Sequence, residues 1–203
     1  MNSANISALG IVDFWFGSAQ DTQTICDQKK SLWWQKNQET DQLIKSQYGE
    51  LVDEVYSGNC EEWLKTSAGV LASIITLDQF PRNIYRGSER SFAYDHRALE
   101  ISKQMMADGG HQDLSLIQRV FAFLPYEHSE NMDDQVTSIK LFEELVQLAP
   151  DNEKEVFKGF YDFALKHHEI IEKFGRYPHR NIILGRNSTK EELAFLERPG
   201  SSF

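Results

Sequence analysis

Apolar side chains recur along this chain at three- and four-residue intervals, and no long stretch alternates apolar with polar residues in the way a half-buried strand requires. Residues 5–16 end in Phe14-Trp15-Phe16 and are followed by Gly17, a residue suited to the left-handed close of a helix. From Asp41 to Tyr56 the residues Leu43, Ile44, Leu51, Val52, Val55 and Tyr56 keep the 3.6-residue repeat, and Gly58 stops it. Asn59, with Glu62 as the returning carboxylate, is expected to cap a helix carrying Trp63 and Leu64. The next run, Val70 to Leu77, is expected to end at Pro81. Further helices are read over Phe92–Met106, before Gly109-Gly110, and over Leu114–Leu124, before Pro125. Gln135–Leu148 follows, then a long helix from Pro150-Asp151 to Phe174 and Gly175. Ser188 or Thr189, with Glu191 or Glu192, opens a last short one carrying Leu193, Phe195 and Leu196.

Helices without strands bury their stripes only against each other. The expected fold is therefore all-α, an irregular stack of antiparallel helical hairpins. No clean repeat of about 34 residues is visible. No low-complexity linker divides the chain, so residues 1–203 are read as a single helical domain.

Charge narrows the partners. The chain carries 21 Lys+Arg against 31 Asp+Glu, a net charge of −10, which opposes general binding to nucleic acid or an anionic membrane. Tyr85, Phe92, Tyr94 and Tyr177 offer stacking surfaces, but the charge weighs against nucleic acid. Cys26 and Cys60 lack the close spacing of a thiolate metal site and form no disulfide framework. No run of about 18 apolar residues occurs, and Met1–Gly10 lacks the features of a signal peptide. The expected location is the cytoplasm.

The arginines are segregated. Two windows, residues 78–97 and 176–186, hold Arg82, Arg86, Arg90, Arg97, Arg176, Arg180 and Arg186, seven of nine arginines, and no lysine. Their acids are Asp78, Glu89 and Asp95, so the windows stand at +4 in a chain of −10. Arginine offers a planar fork for carboxylate or phosphate. Either these forks bind internal carboxylates and loop carbonyls, or some of them line an anion pocket.

The two windows echo each other, since Phe80-Pro81-Arg82-Asn83-Ile84 resembles Tyr177-Pro178-His179-Arg180-Asn181-Ile182 with one residue inserted. Phe123-Leu124-Pro125-Tyr126-Glu127-His128-Ser129-Glu130 is a third proline connection rich in ionisable groups. Each is either a rigid helix stop or one lip of a shared concave site.

Four segments carry a family resemblance. Asp13-Phe14-Trp15-Phe16-Gly17, Leu77-Asp78-Gln79-Phe80-Pro81-Arg82-Asn83-Ile84-Tyr85-Arg86-Gly87, Pro125-Tyr126-Glu127-His128-Ser129-Glu130 and Gly175-Arg176-Tyr177-Pro178-His179-Arg180-Asn181 resemble the bacterial family called domain of unknown function 924. The resemblance runs from near residue 9 to near residue 196. It implies an all-helical, tetratricopeptide-like fold and no particular reaction, so it transfers no catalytic residue. His167 also stands where the family pattern has a histidine. Tyr177 replaces a usual phenylalanine, and Phe123-Leu124 a frequent Tyr-Met.

Three functions are compatible with these residues. The first is a pocket for a small anionic ligand, with Arg82, Asn83, Arg86, Arg176, His179, Arg180 and Asn181 as ligand-binding residues. The second is an enzyme, a hydrolase or lyase, using the same pocket. His128 would be its general base, oriented by Asp78 or Glu130. The competing role for His128 and Glu130 is to cap the helix near Asp133 or to pair with arginines. The third is a protein-interaction adaptor, by analogy with other helical stacks. No metal site is expected, because His167, His168 and His179 lack ligand spacing, and His167 falls on the apolar stripe of Val156, Phe160, Phe163, Ile171 and Phe174. Ser129, Cys26 and Cys60 lack the setting of a nucleophile, and no glycine-rich phosphate loop occurs. The residues identify no cofactor. Trp15, Trp33, Trp34 and Trp63 are expected as core anchors, with pocket lining the alternative for Trp33-Trp34.

Overall fold

The computed structural model describes residues 6–201, and no strand occurs among them. Residue 5, where the sequence starts the first helix, lies outside them. The α-helices are α1 (Ala8–Phe16), α2 (Thr22–Trp34), α3 (Gln38–Tyr56), α4 (Ser67–Ile74), α5 (Phe80–Ile84), α6 (Asp95–Ala107), α7 (Leu116–His128), α8 (Met132–Leu148), α9 (Lys154–Phe174) and α10 (Lys190–Leu196).

The centre of the fold is a continuous helical rod, α4 and α5 joined by a π-helical turn at Ile75–Gln79. Leu71, Ala72, Ile74, Ile75, Leu77 and Phe80 on this rod have no solvent exposure. Helices α1, α3, α6 and α7 pack around it, while α7, α8 and α9 follow one another as side-by-side hairpins. Aromatic side chains close the contacts. Trp15 meets Phe80 and Phe121, each at 5.7 Å between ring centres, and Trp33 Nε1 donates to the Trp15 carbonyl at 3.0 Å. Trp33 is thus a core anchor, whereas Trp34 lies half exposed, stacked on Phe121 at 5.8 Å. No described helix is long and apolar enough to cross a membrane.

Several helix boundaries differ from the sequence reading. Pro81 does not end a helix but sits in the first turn of α5, where its missing N–H is tolerated. The π turn ahead of it, with the Phe80 N–H reaching the Ile75 carbonyl, is how the chain passes the proline without breaking. Pro125 likewise lies inside α7, which continues to His128. The Ser102 hydroxyl donates to the nearby Ala122 carbonyl at 2.5 Å, serving an acceptor beside the proline's gap in the ladder. Asn59 caps nothing: Glu61–Lys65 is a 3₁₀ turn with no side-chain cap, and Glu62 pairs with Lys65 instead. Helix α2 had no counterpart in the sequence reading because only Thr22, Ile25 and Trp33 of its residues are buried. The Thr189–Glu192 capping box at α10 is present as read.

Candidate functional site

Two proline-modified helices bring the site together. The π turn before Pro81 turns Asp78 fully inward. The extra turn of α7 beyond Pro125 carries Glu127 and His128 to the same place. His128 Nδ1 lies 2.7 Å from Asp78 Oδ1, and the other carboxylate oxygen accepts from the Gln79 side-chain amide. Arg82, one helical turn after Asp78, donates to its backbone carbonyl and lies 3.3 Å from its Oδ1. Gln135, at the base of α8, seals the end of α7: its amide is shared among the carbonyls of Tyr126, Glu127 and Ser129 and the Tyr177 hydroxyl, 2.7–3.3 Å away. The Tyr177 hydroxyl itself donates to the Glu127 carbonyl.

The third wall comes from the segment after α9, where Gly175 adopts a left-handed φ of 69° and ends the helix. It delivers Tyr177, His179 and Arg180 beside α9's His167. The His167 and Tyr177 rings are 5.6 Å apart, and those of His128 and His167 6.4 Å. His167 Nδ1 is 2.8 Å from the Phe163 carbonyl and 3.1 Å from Glu127 Oε1. The stretches around Pro81, Pro125 and Pro178 therefore converge, although the first two lie within α-helices and the last opens a short 3₁₀ turn, Pro178–Arg180.

Asp95, at the start of α6, links the arginines. Arg82 grips it with two parallel hydrogen bonds of 2.8 and 2.9 Å. Arg180 stands differently. Its Nη1 is 3.7 Å from Asp95 Oδ2, its buried Nε has no hydrogen-bond partner among the described residues, and its guanidinium lies over Phe92 at 4.6 Å and Tyr177 at 4.5 Å.

The remaining arginines are engaged elsewhere. Arg86 and Asn83 both hold Asp41 of α3, at 2.7–3.0 Å. Arg90 holds Asp53, and Arg97 holds Glu100. Arg176 grips Glu192 of α10, and Asn181 bonds Ser188 and Arg186. These pairs brace the fold, because each guanidinium already has its charge balanced and its fork held in place by an internal carboxylate. Asn83, Arg86, Arg176 and Asn181, expected to bind ligand, thus have their side chains engaged by Asp41, Glu192, Ser188 and Arg186, and none of them bonds Asp78 or His128 among the described residues. Glu130 does not orient His128 either. It accepts from Arg186 at 2.6 and 2.9 Å and from the Tyr177 N–H at 2.8 Å.

The electrostatics separate the groups into roles. Burial alone would raise the Asp78 carboxyl, but the adjacent Arg82 and His128 hold it well below the usual carboxylate range. Burial, reinforced by the Asp78 charge, pushes Glu127 up to about 8. Burial, with Arg82 nearby, lowers His128 against the pull of Asp78. His167 is pushed down to about 3, chiefly by burial, and His179 to about 4 by burial and the Arg180 charge. Burial also lowers Arg180, with Asp95 opposing. Because an ionised Asp78 only accepts, the neutral His128 ring carries its proton on Nδ1 and presents a lone pair on Nε2. The arrangement is an oriented base beside a neutral carboxylic acid, two buried carboxyls driven to opposite protonation states.

Sequence reasoning missed Glu127, Asp95 and Phe92 as members of this cluster, while His167, read on the apolar face of its helix, is buried there beside a carbonyl and a carboxyl. Asp95 carried a signal as one of only three acids in the arginine windows. Glu127 carried none beyond its place beside His128. Among the described residues, no group of three or more His, Cys, Asp or Glu is placed to hold a metal ion.

The whole architecture has a solved counterpart. A protein of unknown function, ATU0120 from Agrobacterium tumefaciens, is similar at a TM-score of 0.78 and 30% identity, over 94% of this chain and 96% of that one. No curated protein matches the chain. Residues 11–200 match a family described as bacterial protein of unknown function (DUF924), and with nearly every described residue inside that match, the chain belongs to this family.

Proposed function

We propose that the protein binds a small anion at Arg180, next to the Asp78–His128 dyad. One observation carries the reading: Arg180 is 7% exposed, yet its guanidinium makes no hydrogen bond within the described residues, while the other six arginines of the two windows each meet a carboxylate at 3.0 Å or less. A buried cation without good partners costs stability. Such a cost is expected where the missing partner is a ligand. Arg82 is tied to Asp95 and Asp78 and would set the geometry, with His179 beside it.

The Asp78–His128 geometry favours a second reading of the same site, an enzyme of the hydrolase or lyase type in which His128 Nε2 is the base and Glu127 the acid. We also take residues 1–203 as one domain, supported by a buried cluster running from Ile11 to Ala164. The free cysteines Cys26 and Cys60 suit the reducing cytoplasm.

The test is a thermal-shift titration of wild type and Arg180→Met with acetate, benzoate, inorganic phosphate and sulfate. A site filled at about a hundred times its dissociation constant adds about 2.7 kcal/mol. The expected result is stabilisation of the wild type and none of a folded Arg180→Met. Equal responses from the two proteins would reject the site.

A further inference from the structure

The charges around His128 close on themselves. Asp78 of the π turn and Asp95 of α6 are negative, and Arg82 of α5 and Arg180 after α9 are positive. Glu127 on its own helix, His167 on α9 and His179 on the following turn belong to the same cluster, and burial drives each of the three toward its uncharged form. The site without ligand is balanced, so an anion entering it leaves one buried negative charge for each charge it brings.

One proton restores the balance for a monoanion, and the geometry offers one place for it. His128 combines an Nδ1 hydrogen bond to an ionised carboxylate with a side chain 15% exposed. A proton on its Nε2 is compensated by Asp78 without any movement. Glu127 already holds its proton, and its neutral carboxyl gives His167 no comparable counter-charge. A dianion would need a second such base. The Arg180 guanidinium lies 4.6 and 4.5 Å from the centres of the Phe92 and Tyr177 rings, and its buried Nε–H has no hydrogen-bond partner among the described residues; a planar carboxylate matches that planar fork.

We infer that the anion taken by this site is a monocarboxylate, and that it enters together with one proton that settles on Nε2 of His128. The inference rests on Arg180 being the anion site. It makes the loaded dyad an imidazolium poised to return that proton to the ligand.

Isothermal titration of the full chain with benzoate, acetate and inorganic phosphate, in buffers of different ionisation enthalpy, counts the protons. Near pH 7.5 the expected uptake is close to one proton per carboxylate, with affinity falling up to about tenfold for each further pH unit. His128→Asn keeps an N–H for Asp78 but cannot take the proton, so its uptake should fall to near zero. If that variant does not fold, the wild-type proton count decides alone. Carboxylate binding without proton uptake, or uptake unchanged in His128→Asn, overturns the inference. Phosphate bound more tightly than either carboxylate and lost in Arg180→Met also overturns it, while leaving Arg180 as an anion site. No binding of any of these anions overturns both.

Discussion

His128 Nδ1 meets Asp78 Oδ1 at 2.7 Å across fifty residues of sequence, and each partner stands within three residues of a proline inside a helical run. Pro81 lies three residues after Asp78, and Pro125 three residues before His128. Each proline removes a backbone donor, and in each case the chain stays helical, with a π turn before Pro81 and α7 running on through Pro125 to His128. The dyad therefore joins a π turn to the last turn of a proline-containing helix. The surrounding core holds both in place.

Asp78 is the anchor of this arrangement. Its carboxylate is fully buried and answers Arg82, His128 and Gln79 together. Asp78→Ala should lower unfolding free energy by about 3–5 kcal/mol, the range for removing one partner from a buried ion pair. Urea denaturation of the two proteins checks this. A loss under about 1 kcal/mol would mean that Arg82 is satisfied by Asp95 alone.

Gly69 sets how closely α4 approaches the Glu61–Lys65 turn. A Cβ there would stand 2.0 Å from the Trp63 carbonyl oxygen, and the obstacle is backbone, which cannot rotate away. Gly69→Ala should destabilise by at least the 1–3 kcal/mol typical of overpacking. Because α4 leads directly into the turn that holds Asp78, the variant should also weaken anion binding. Thermal unfolding and a titration with benzoate measure the two effects together.

The helical class and most helix positions were legible because apolar spacing and glycine stops report local structure directly. Gly17 and Gly175 end α1 and α9 as their positions suggest. The prolines misled, since a proline's local cost says where a helix is strained and tertiary packing decides whether it breaks. The concentration of arginine pointed to the right region without separating its members. Arg86 and Arg180 look alike in sequence, and only the fold reveals that Asp41 reaches one and no carboxylate fully reaches the other. Glu127 was invisible for the same reason: burial of a single carboxyl is a property of the packed helices around it.

That contrast predicts opposite responses to one substitution. Arg82→Met removes two hydrogen bonds to Asp95 and leaves Asp78 and Asp95 without their cation, so a loss of about 3–5 kcal/mol is expected. Arg180→Met removes a buried charge that makes no hydrogen bond and leaves Asp95 still held by Arg82. Its stability should equal or exceed that of the wild type, with anion binding lost. Matching large losses in both variants, read by urea denaturation, would return Arg180 to a purely structural role.

Stability should pass through a maximum near pH 6.5 and fall on both sides. The folded values of His167, about 3, and His179, about 4, lie below the ordinary 6.5, so the unfolded chain binds more protons as pH drops below about 6.5. Their stabilising contribution is full above that value and is lost as pH falls toward 4 and then 3. Glu127 acts in the opposite sense. Its folded value of about 8 lies above the unfolded 4.5, so its contribution is full below about 4.5 and declines as pH rises to about 8. Between pH 4.5 and 6.5 the two histidines outweigh the one carboxyl, and stability rises. Between pH 6.5 and 8 Glu127 acts alone among these three, and stability falls. Glu127→Gln keeps the shape and removes the titration, so its stability should level off above pH 6.5 where the wild type declines. Urea denaturation of both proteins from pH 5 to 9 tests this, and a wild-type plateau from pH 6.5 to 8 would show that Glu127 is already ionised in the folded state.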